Sequence, residues 1–446
     1  MIKEKIYYYI RFKLESPLSV GNGDDNLTDH DCVRNSNGDL FIPATSIAGA
    51  FSHYLNDEQR KIFAPKEETE KSIREKRKEK EKEYEYFQSP YFISDAILVN
   101  SNVNMSIRDG VKLTENKTAE KSAKYNFEVI ETGAEFDFRI ELTIRDGDNA
   151  DKMKEIVDIL LNGFNSGEIV LGLKSKRGYG KVSLIDIRKR SFEKNIDDLL
   201  KFDKYSIDNY ENYSPKEQNS NKNYDYIELS LEQIGGLSIR RYSSRAGEAD
   251  FEHIKSNGTP VIPGTSWAGL IRGQVERYVN LIENQFNIKL DVNLDYWFGR
   301  EKQKNSEAVA SNIIVEESTI ENSKEITLTR NKIDRFSGGA SDRALFTEKA
   351  VFNGTTKLGI KIKKGITYKD NELQEDSTKS TKNSKVENNS KIVGLIALVL
   401  KDIDNGLIAL GGQTSIGRGI FKIQSCKLNN EELNLDKKIE NIIGGE

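Results

Sequence analysis

Cysteine and histidine are scarce in this chain of 446 residues. The two cysteines, Cys32 and Cys426, stand far apart, which excludes a disulfide framework and a cysteine-rich zinc site. Three histidines, His30, His53 and His253, argue against a histidine-rich metal centre. An excess of one charge is also lacking: 67 Lys and Arg face 71 Asp and Glu, a net charge of -4. Such a chain has no global positive field to steer a polyanion, so any nucleic-acid contact must be local and built by the fold. Long hydrophobic runs are missing as well; the longest, Ile392 to Leu400, is too short to span a bilayer. The opening M-I-K-E-K-I-Y-Y-Y-I lacks the apolar stretch and cleavage site of a signal peptide. The chain therefore reads as soluble and cytoplasmic, with no membrane partner.

What is present is repetition. I-P-A-T-S-I-A-G from Ile42 recurs as I-P-G-T-S-W-A-G from Ile262, placing Ser46 and Ser266 at an offset of 220. Upstream, D-H-D-C-V-R (Asp29 to Arg34) recurs as D-F-E-H-I-K (Asp250 to Lys255) at an offset of 221. Arg108 in I-R-D-G-V matches Arg330 in T-R-N-K-I at 222, and Gly133 matches Gly354 at 221. L-G-L-K-S-K-R-G-Y-G (Leu171 to Gly180) matches L-G-G-Q-T-S-I-G-R-G (Leu410 to Gly419) at 239. The added length lies in the polar tract 369–391, whose only apolar residues are Leu373 and Val386 and which cannot build a core. Five landmarks in one order make the chain two copies of one domain.

Each copy reads as α+β. Ile6, Tyr8, Ile10, Phe12 and Leu14 alternate with more polar positions, predicting a first strand with one apolar face, and Tyr224 to Leu231 is its counterpart. Helices are expected to begin at Thr45-Ser46 and Thr265-Ser266, their hydroxyls capping free amides after Pro43 and Pro263. Strands follow at Phe136 to Ile144 and Lys357 to Ile362, then helices at Asp151 to Phe164 and Ile392 to Ile403. The second of these is apolar around most of its circumference and so buried. A glycine-rich segment and a last strand close each unit. This order is that of a ferredoxin-like or RRM-like sheet with helices on one face. The resulting division is 1–188 for the first domain, 189–223 for a linker, 224–428 for the second domain and 429–446 for a tail. Within the first domain, sixteen of the twenty residues from 66 to 85 are charged with mixed sign, which suits a solvated helix or a disordered insert.

The chemistry-bearing candidates follow the repeats. The loop before the first helix offers two acids two apart, Asp29 and Asp31 against Asp250 and Glu252. In extended backbone such carboxylates point to one side. They suit a hard divalent cation or polarisation of a hydroxyl, and equally suit ordinary loop acids that cap a turn. His30 and His253 sit beside these acids but do not align between copies, so neither is assigned a catalytic role. The glycine-rich segments share L-G-x5-G-x-G. Gly178, Gly180, Gly412, Gly417 and Gly419 would let backbone amides approach a phosphate, with Lys174, Lys176, Arg177 and Arg418 adding charge. The same glycines also suit a plain strand-end turn. No G-K-[ST] opens a helix, so a Walker-type site is excluded. Arg240, Arg241 and Arg245 around Tyr242 make a basic cluster that suits RNA or a solvated surface alike.

These residues resemble the RAMP superfamily of CRISPR-associated proteins, and more narrowly the Cas-seven-type backbone subunits of type III effector complexes. The resemblance rests on the loop acid, the I-P-[GA]-T-S-x-x-G motif, the hairpin arginine and the terminal G-x-G, in order, over roughly 1–188 and 224–428. It implies RRM-like cores binding a CRISPR guide RNA, and a "thumb" hairpin near Arg108 to Phe127 and Arg330 to Thr347 that wedges into the guide–target duplex. It further implies cleavage of target RNA by the loop aspartate with Mg2+ or Mn2+, through attack by the neighbouring 2′-hydroxyl. By motif position the catalytic and metal-holding candidates are Asp29 and Asp250, with Asp31 and Glu252 as helpers. Ser46, Ser266, Arg272, Arg108 and Arg330 join the RNA-binding set, and other effector subunits are the implied partners. The chain departs from the family where Ala48 and Ala268 replace a common lysine, where Ala44 replaces a glycine, and where Ser52 stands opposite Arg272. A non-catalytic guide-binding subunit and a guide-processing endoribonuclease are the alternative readings; the twofold glycine-rich loop and the unmatched histidines speak against the latter.

Overall fold

In the computed structural model the described residues are all but 22, 24–27, 66–87, 102, 114–118, 194–195, 217–222, 243–248, 291, 301–307, 342–343, 366, 370–383, 387–388, 441 and 443–446. The charged insert 66–85 and most of the polar tract 369–391 thus lie outside the described residues. The chain divides into two units, one of residues 1–110, 125–175 and 179–220, the other of 111–124, 176–178 and 221–446.

The first half carries β1 (Ile2–Leu14), α1 (Ala44–Tyr54), the hairpin strands β2 (Met105–Leu113) and β3 (Ala119–Ile130), β4 (Glu135–Arg145), α2 (Ala150–Asn165) and β5 (Val182–Glu193). β1 is central, antiparallel to β4 (Tyr8 opposite Ile140) and to β5 (Tyr9 opposite Arg188). The sheet continues beyond β4 through Ala96–Leu98 and Phe41–Ile42, so its order is last, first, third, second, that of a ferredoxin-like sheet. β4 buries every second residue from Phe136 to Ile144, as its strict alternation predicts. One face packs against α1 and α2, with Phe12, Phe51 and Phe138 meeting Phe164 at ring separations of 5.3, 5.6 and 6.1 Å.

Two expectations are corrected here. β1 has two apolar faces, not one: Tyr7 and Tyr9 are buried on the side away from the helices. Their cover is the segment read as a linker, with Phe202 4.9 Å from the Tyr7 ring and Tyr210 6.1 Å from the Tyr9 ring. Those residues complete the first unit because a two-sided strand must be sheltered on both sides. The helix starts also differ. Pro43 and Pro263 occupy the N-cap positions and no side chain caps either helix. In α1 the Ala44 amide donates instead to Asp95 Oδ1 at 2.7 Å, so an acid distant in sequence does the work assigned to Ser46.

The second half repeats the plan with β6 (Tyr224–Leu237), β7 (Arg240–Tyr242), β8 (Phe251–His253), α3 (Gly264–Gln285), β9 (Lys324–Arg330), β10 (Phe346–Lys363), α4 (Asn389–Asp404) and β11 (Ile420–Leu428). β6 lies between β10 and β11, Leu229 facing Leu358 on one side and Cys426 on the other. β10 runs unbroken for 18 residues where the first unit has two strands. Trp267 of α3 is fully buried, its ring 5.3 Å from Phe421 and its indole N–H donating to Ser318 Oγ at 3.0 Å. α4 buries residues around most of its circumference, as its composition predicts. The tail supplies part of the cover: Leu433 and Ile442 are buried, and a Cβ at Gly394 would lie 2.8 Å from the Lys438 carbonyl. No helix among the described residues is long and apolar enough to cross a membrane.

Candidate functional site

The two loop aspartates are held alike. Asp29 Oδ2 accepts from the Asn126 amide at 2.7 Å, and the Asp29 amide donates to Asn126 Oδ1 at 3.0 Å. Asp250 Oδ2 accepts from the Thr347 amide at 2.6 Å, and the Asp250 amide donates to the Thr347 carbonyl at 2.9 Å. In each unit the anchor lies 97 residues after the aspartate. Both aspartates are exposed. A main-chain N–H fixes one carboxylate oxygen while the side chain stays open to solvent, which orients an acid without burying it. Cation and aromatic groups flank each pair. In the first unit Tyr125 and Phe127 stack at 6.0 Å, and the Lys174 ammonium lies 3.6 Å from the Phe127 centroid and 2.8 Å from the Tyr125 hydroxyl. In the second, Phe251 stacks on Phe346 at 6.3 Å and the Arg240 guanidinium lies 4.1 Å over Phe251. Both are cation–π arrangements.

The companion acids do not join them. Asp31 is 4% exposed, and its Oδ1 accepts from the Thr28 amide at 2.9 Å and hydroxyl at 2.8 Å. It shapes its own loop by reaching back three residues to Thr28. Glu252 sits within β8, in register with Arg241 and Lys349. The next basic residue is also engaged: Arg34 forks onto Glu128 at 2.9 and 3.0 Å, and Lys255 meets Glu325 at 2.5 Å. Among the described residues no group of three or more His, Cys, Asp or Glu could hold a metal ion. Each site offers one exposed carboxylate, which does not make a protein-built cage for Mg2+ or Mn2+. His253 is a structural residue. It is 1% exposed, its Nδ1 accepts from the Ile239 amide at 3.2 Å and its Nε2 faces the Val261 carbonyl at 2.9 Å.

The glycine-rich segments are built for close backbone packing. A Cβ at Gly180 would lie 1.8 Å from the Leu171 carbonyl oxygen, and one at Gly419 would lie 1.9 Å from that of Leu410. The Gly180 amide donates to the Pro17 carbonyl, Gly412 to Ser238, Gly417 to Thr414 and Gly419 to Gly236, at 2.9, 2.8, 3.2 and 2.8 Å. These four amides are already hydrogen-bonded within the chain, which corrects their reading as a phosphate cradle. Gly178 shares the left-handed φ of Gly180 and Gly417. Lys176 and Arg177 fall in the one-turn helix Ser175–Arg177, Arg177 exposed and Lys176 half-buried.

The arginines separate into buried and exposed sets. Arg418 is buried and paired with Glu348, which also lies 3.2 Å from Arg330. Arg108 is buried, with Glu131 at 3.6 Å and the Tyr179 hydroxyl at 3.2 Å. Arg108 and Arg418 therefore do not present their charge to solvent, contrary to expectation, because each meets an acid inside the fold. Arg272 pairs within α3 with Glu276 at 2.7 Å and ties α3 to the end of the next helix, Leu294–Phe298, through the Gly299 carbonyl at 2.9 Å. Ser46 and Ser266 sit half-buried in the first helical turns, their amides donating to the Pro43 and Pro263 carbonyls. Arg240 and Arg241 are exposed, whereas Arg245 lies outside the described residues. Asn126 and Thr347 went unrecognised in the sequence; the repeat offset of 221 that links them was the available signal.

Two matched aspartates, each locked to the base of its hairpin on one of two duplicated ferredoxin-like sheets, are the frame for comparison with known proteins. No curated protein matches the chain. The family model of the RAMP superfamily matches residues 11–183 and again residues 198–422. Those two matches in tandem cover most of the length, and the chain belongs to the RAMP superfamily of CRISPR-associated proteins.

Proposed function

We propose that this chain is a guide-RNA-binding subunit of a type III CRISPR effector ribonucleoprotein, and that Asp29 and Asp250 each cut guide-paired target RNA. The observation that carries the reading is the twin anchoring of these aspartates, each exposed and each fixed by a main-chain amide 97 residues on. Duplicated loops drift unless the same geometry is needed twice, and the neighbouring acids have drifted: Asp31 is buried where Glu252 lies on a strand.

The reaction is transesterification. The 2′-oxygen attacks the adjacent phosphorus, the P–O5′ bond breaks, and the products are a 2′,3′-cyclic phosphate and a 5′-hydroxyl. The aspartate carboxylate accepts the 2′-hydroxyl proton, and water returns a proton to the departing 5′-oxygen. A magnesium or manganese ion carried by the RNA phosphates, with the one carboxylate as its protein ligand, would neutralise charge at the phosphate. Exposed Arg177, Arg240 and Arg241 are open to contact RNA, consistent with a chain whose basic charge is local rather than general.

The test is target-RNA cleavage by the assembled complex in Mg2+ or Mn2+. Asp29→Ala is expected to slow one cut and Asp250→Ala another, each by about 10²-fold. Wild-type cleavage by both variants, with guide RNA still bound, would leave a purely structural guide-holding subunit as the function.

A further inference from the structure

We infer that Glu348 is a positioning residue for Asp250. With buried Arg418 and half-buried Arg330 it forms a clamp that fixes the Thr347 amide on which the Asp250 carboxylate rests. Glu348 follows Thr347 in β10 and is fully buried. Adjacent residues of a strand point to opposite faces, so securing Glu348 on one face sets the height of the backbone on the other. Its Oε1 accepts from Arg418, which comes from the glycine-rich segment, and lies 3.2 Å from Arg330 at the end of β9. One carboxylate oxygen thus gathers the hairpin, the glycine-rich segment and the strand that anchors Asp250. β9 adds a second hold, Thr329 Oγ1 standing 3.2 Å from Thr347 Oγ1.

The cluster carries more charge than packing requires. Two guanidiniums face one carboxylate, and Glu348 Oε2 and Arg418 Nη1 have no hydrogen-bond partner among the described residues. Buried ionic clusters of this kind contribute little net stability, and apolar replacements commonly do as well. The first unit replaces the Glu348–Arg418 pair with rings, while its own arginine, Arg108, keeps an acid, Glu131, at 3.6 Å. At the equivalent positions it has Phe127 and Tyr179, packed at 5.8 Å, with Arg108 5.5 Å over the tyrosine ring. The anchor of Asp29 is therefore backed by two rings beside the Arg108–Glu131 pair, and that of Asp250 by the Glu348–Arg418 pair.

The clamp itself is independent of cleavage, whereas its consequence for the second cut rests on the reading of Asp250 as a cutting residue. The experiment measures amide exchange in the full chain and cleavage in the complex assembled on it, for Glu348→Gln and for the swap Glu348→Phe with Arg418→Tyr. In Glu348→Gln the Thr347 amide is expected to exchange about tenfold faster while Leu358, farther along β10, stays within about twofold. The Asp250-dependent cut should lose kcat with KM unchanged, and the Asp29-dependent cut should be unaffected. The swap, which installs the first unit's pair, should return Thr347 exchange and the second cut to within about threefold of wild type, and it keeps the test open if the single variant folds poorly. Unchanged Thr347 exchange in Glu348→Gln overturns the clamp. So does equal acceleration at Thr347 and Leu358, which marks a merely structural residue, and so does a folded swap that leaves Thr347 fast. Selective loss at Thr347 with both cuts intact upholds the clamp and rejects the cleavage reading alone.

Discussion

Gly419→Ala is expected to destabilise the second unit by about 4 kcal/mol, and Gly417→Ala, two residues away, by only about 1–2 kcal/mol. Both glycines adopt left-handed backbone, with φ of 79° and 80°. They differ in what surrounds them. A Cβ at Gly417 meets nothing within 4 Å, so alanine there pays backbone strain alone. A Cβ at Gly419 would sit 1.9 Å from the Leu410 carbonyl oxygen, and relieving that clash breaks two main-chain bonds, Leu410 N–H to Gly419 and Gly419 N–H to Gly236. Tryptophan fluorescence during denaturant unfolding checks this, because Trp267 and Trp297, the chain's two tryptophans, both lie in the second unit. The same pair separates a structural glycine from a phosphate-binding one. With its amide already donating to Thr414, Gly417 should tolerate alanine without loss of guide RNA. A Gly417→Ala chain that is folded but free of RNA would restore the phosphate-cradle reading.

How much of this was legible depended on which part of a residue does the work. The sheet was legible where side chains face alternate ways, as from Phe136 to Ile144, and α4 was legible because its apolar residues encircle it. The duplication was legible because landmark residues kept their spacing. The second face of β1 was not. Tyr7 and Tyr9 read as polar positions until Phe202 and Tyr210, far along the chain, are seen to cover them. Likewise Asp95 supplies the α1 start from 51 residues away, which no local capping rule anticipates. Arg418 looked like a phosphate contact because a basic residue between glycines gives no hint of the acid it meets in β10. The anchors of the two aspartates were least legible of all. Asn126 and Thr347 are different residue types, and the group that binds each carboxylate is the main-chain N–H, which every residue but proline possesses.

Acid is expected to weaken the second unit through His253. Burial, as the largest cause, lowers this imidazole from 6.5 to about 4, with the nearby Lys255 ammonium acting in the same direction and the Val261 carbonyl and Glu325 opposing it. The neutral ring serves two partners at once. Nδ1 takes the Ile239 N–H just ahead of β7, and Nε2 gives its proton to Val261 in the strand leading to α3. Protonation would set one N–H against another at Nδ1 and place a charge in the core. Below about pH 6.5 the unfolded chain binds a proton that the folded chain refuses, so the folded state loses ground as pH falls and the loss levels off below about pH 4. The contribution is fully present above pH 6.5, has fallen by about 2 kcal/mol at pH 5, and by about 3 kcal/mol at pH 4. Carboxylates also respond to acid, so the control is His253→Gln, whose side-chain amide can still donate to Val261 but does not titrate. Unfolding followed by tryptophan fluorescence should show wild type losing about 2 kcal/mol more than His253→Gln between pH 7.5 and pH 5. Parallel pH profiles for the two proteins would mean that His253 carries its proton in the folded state, and the two-sided lock between Ile239 and Val261 would have to be abandoned.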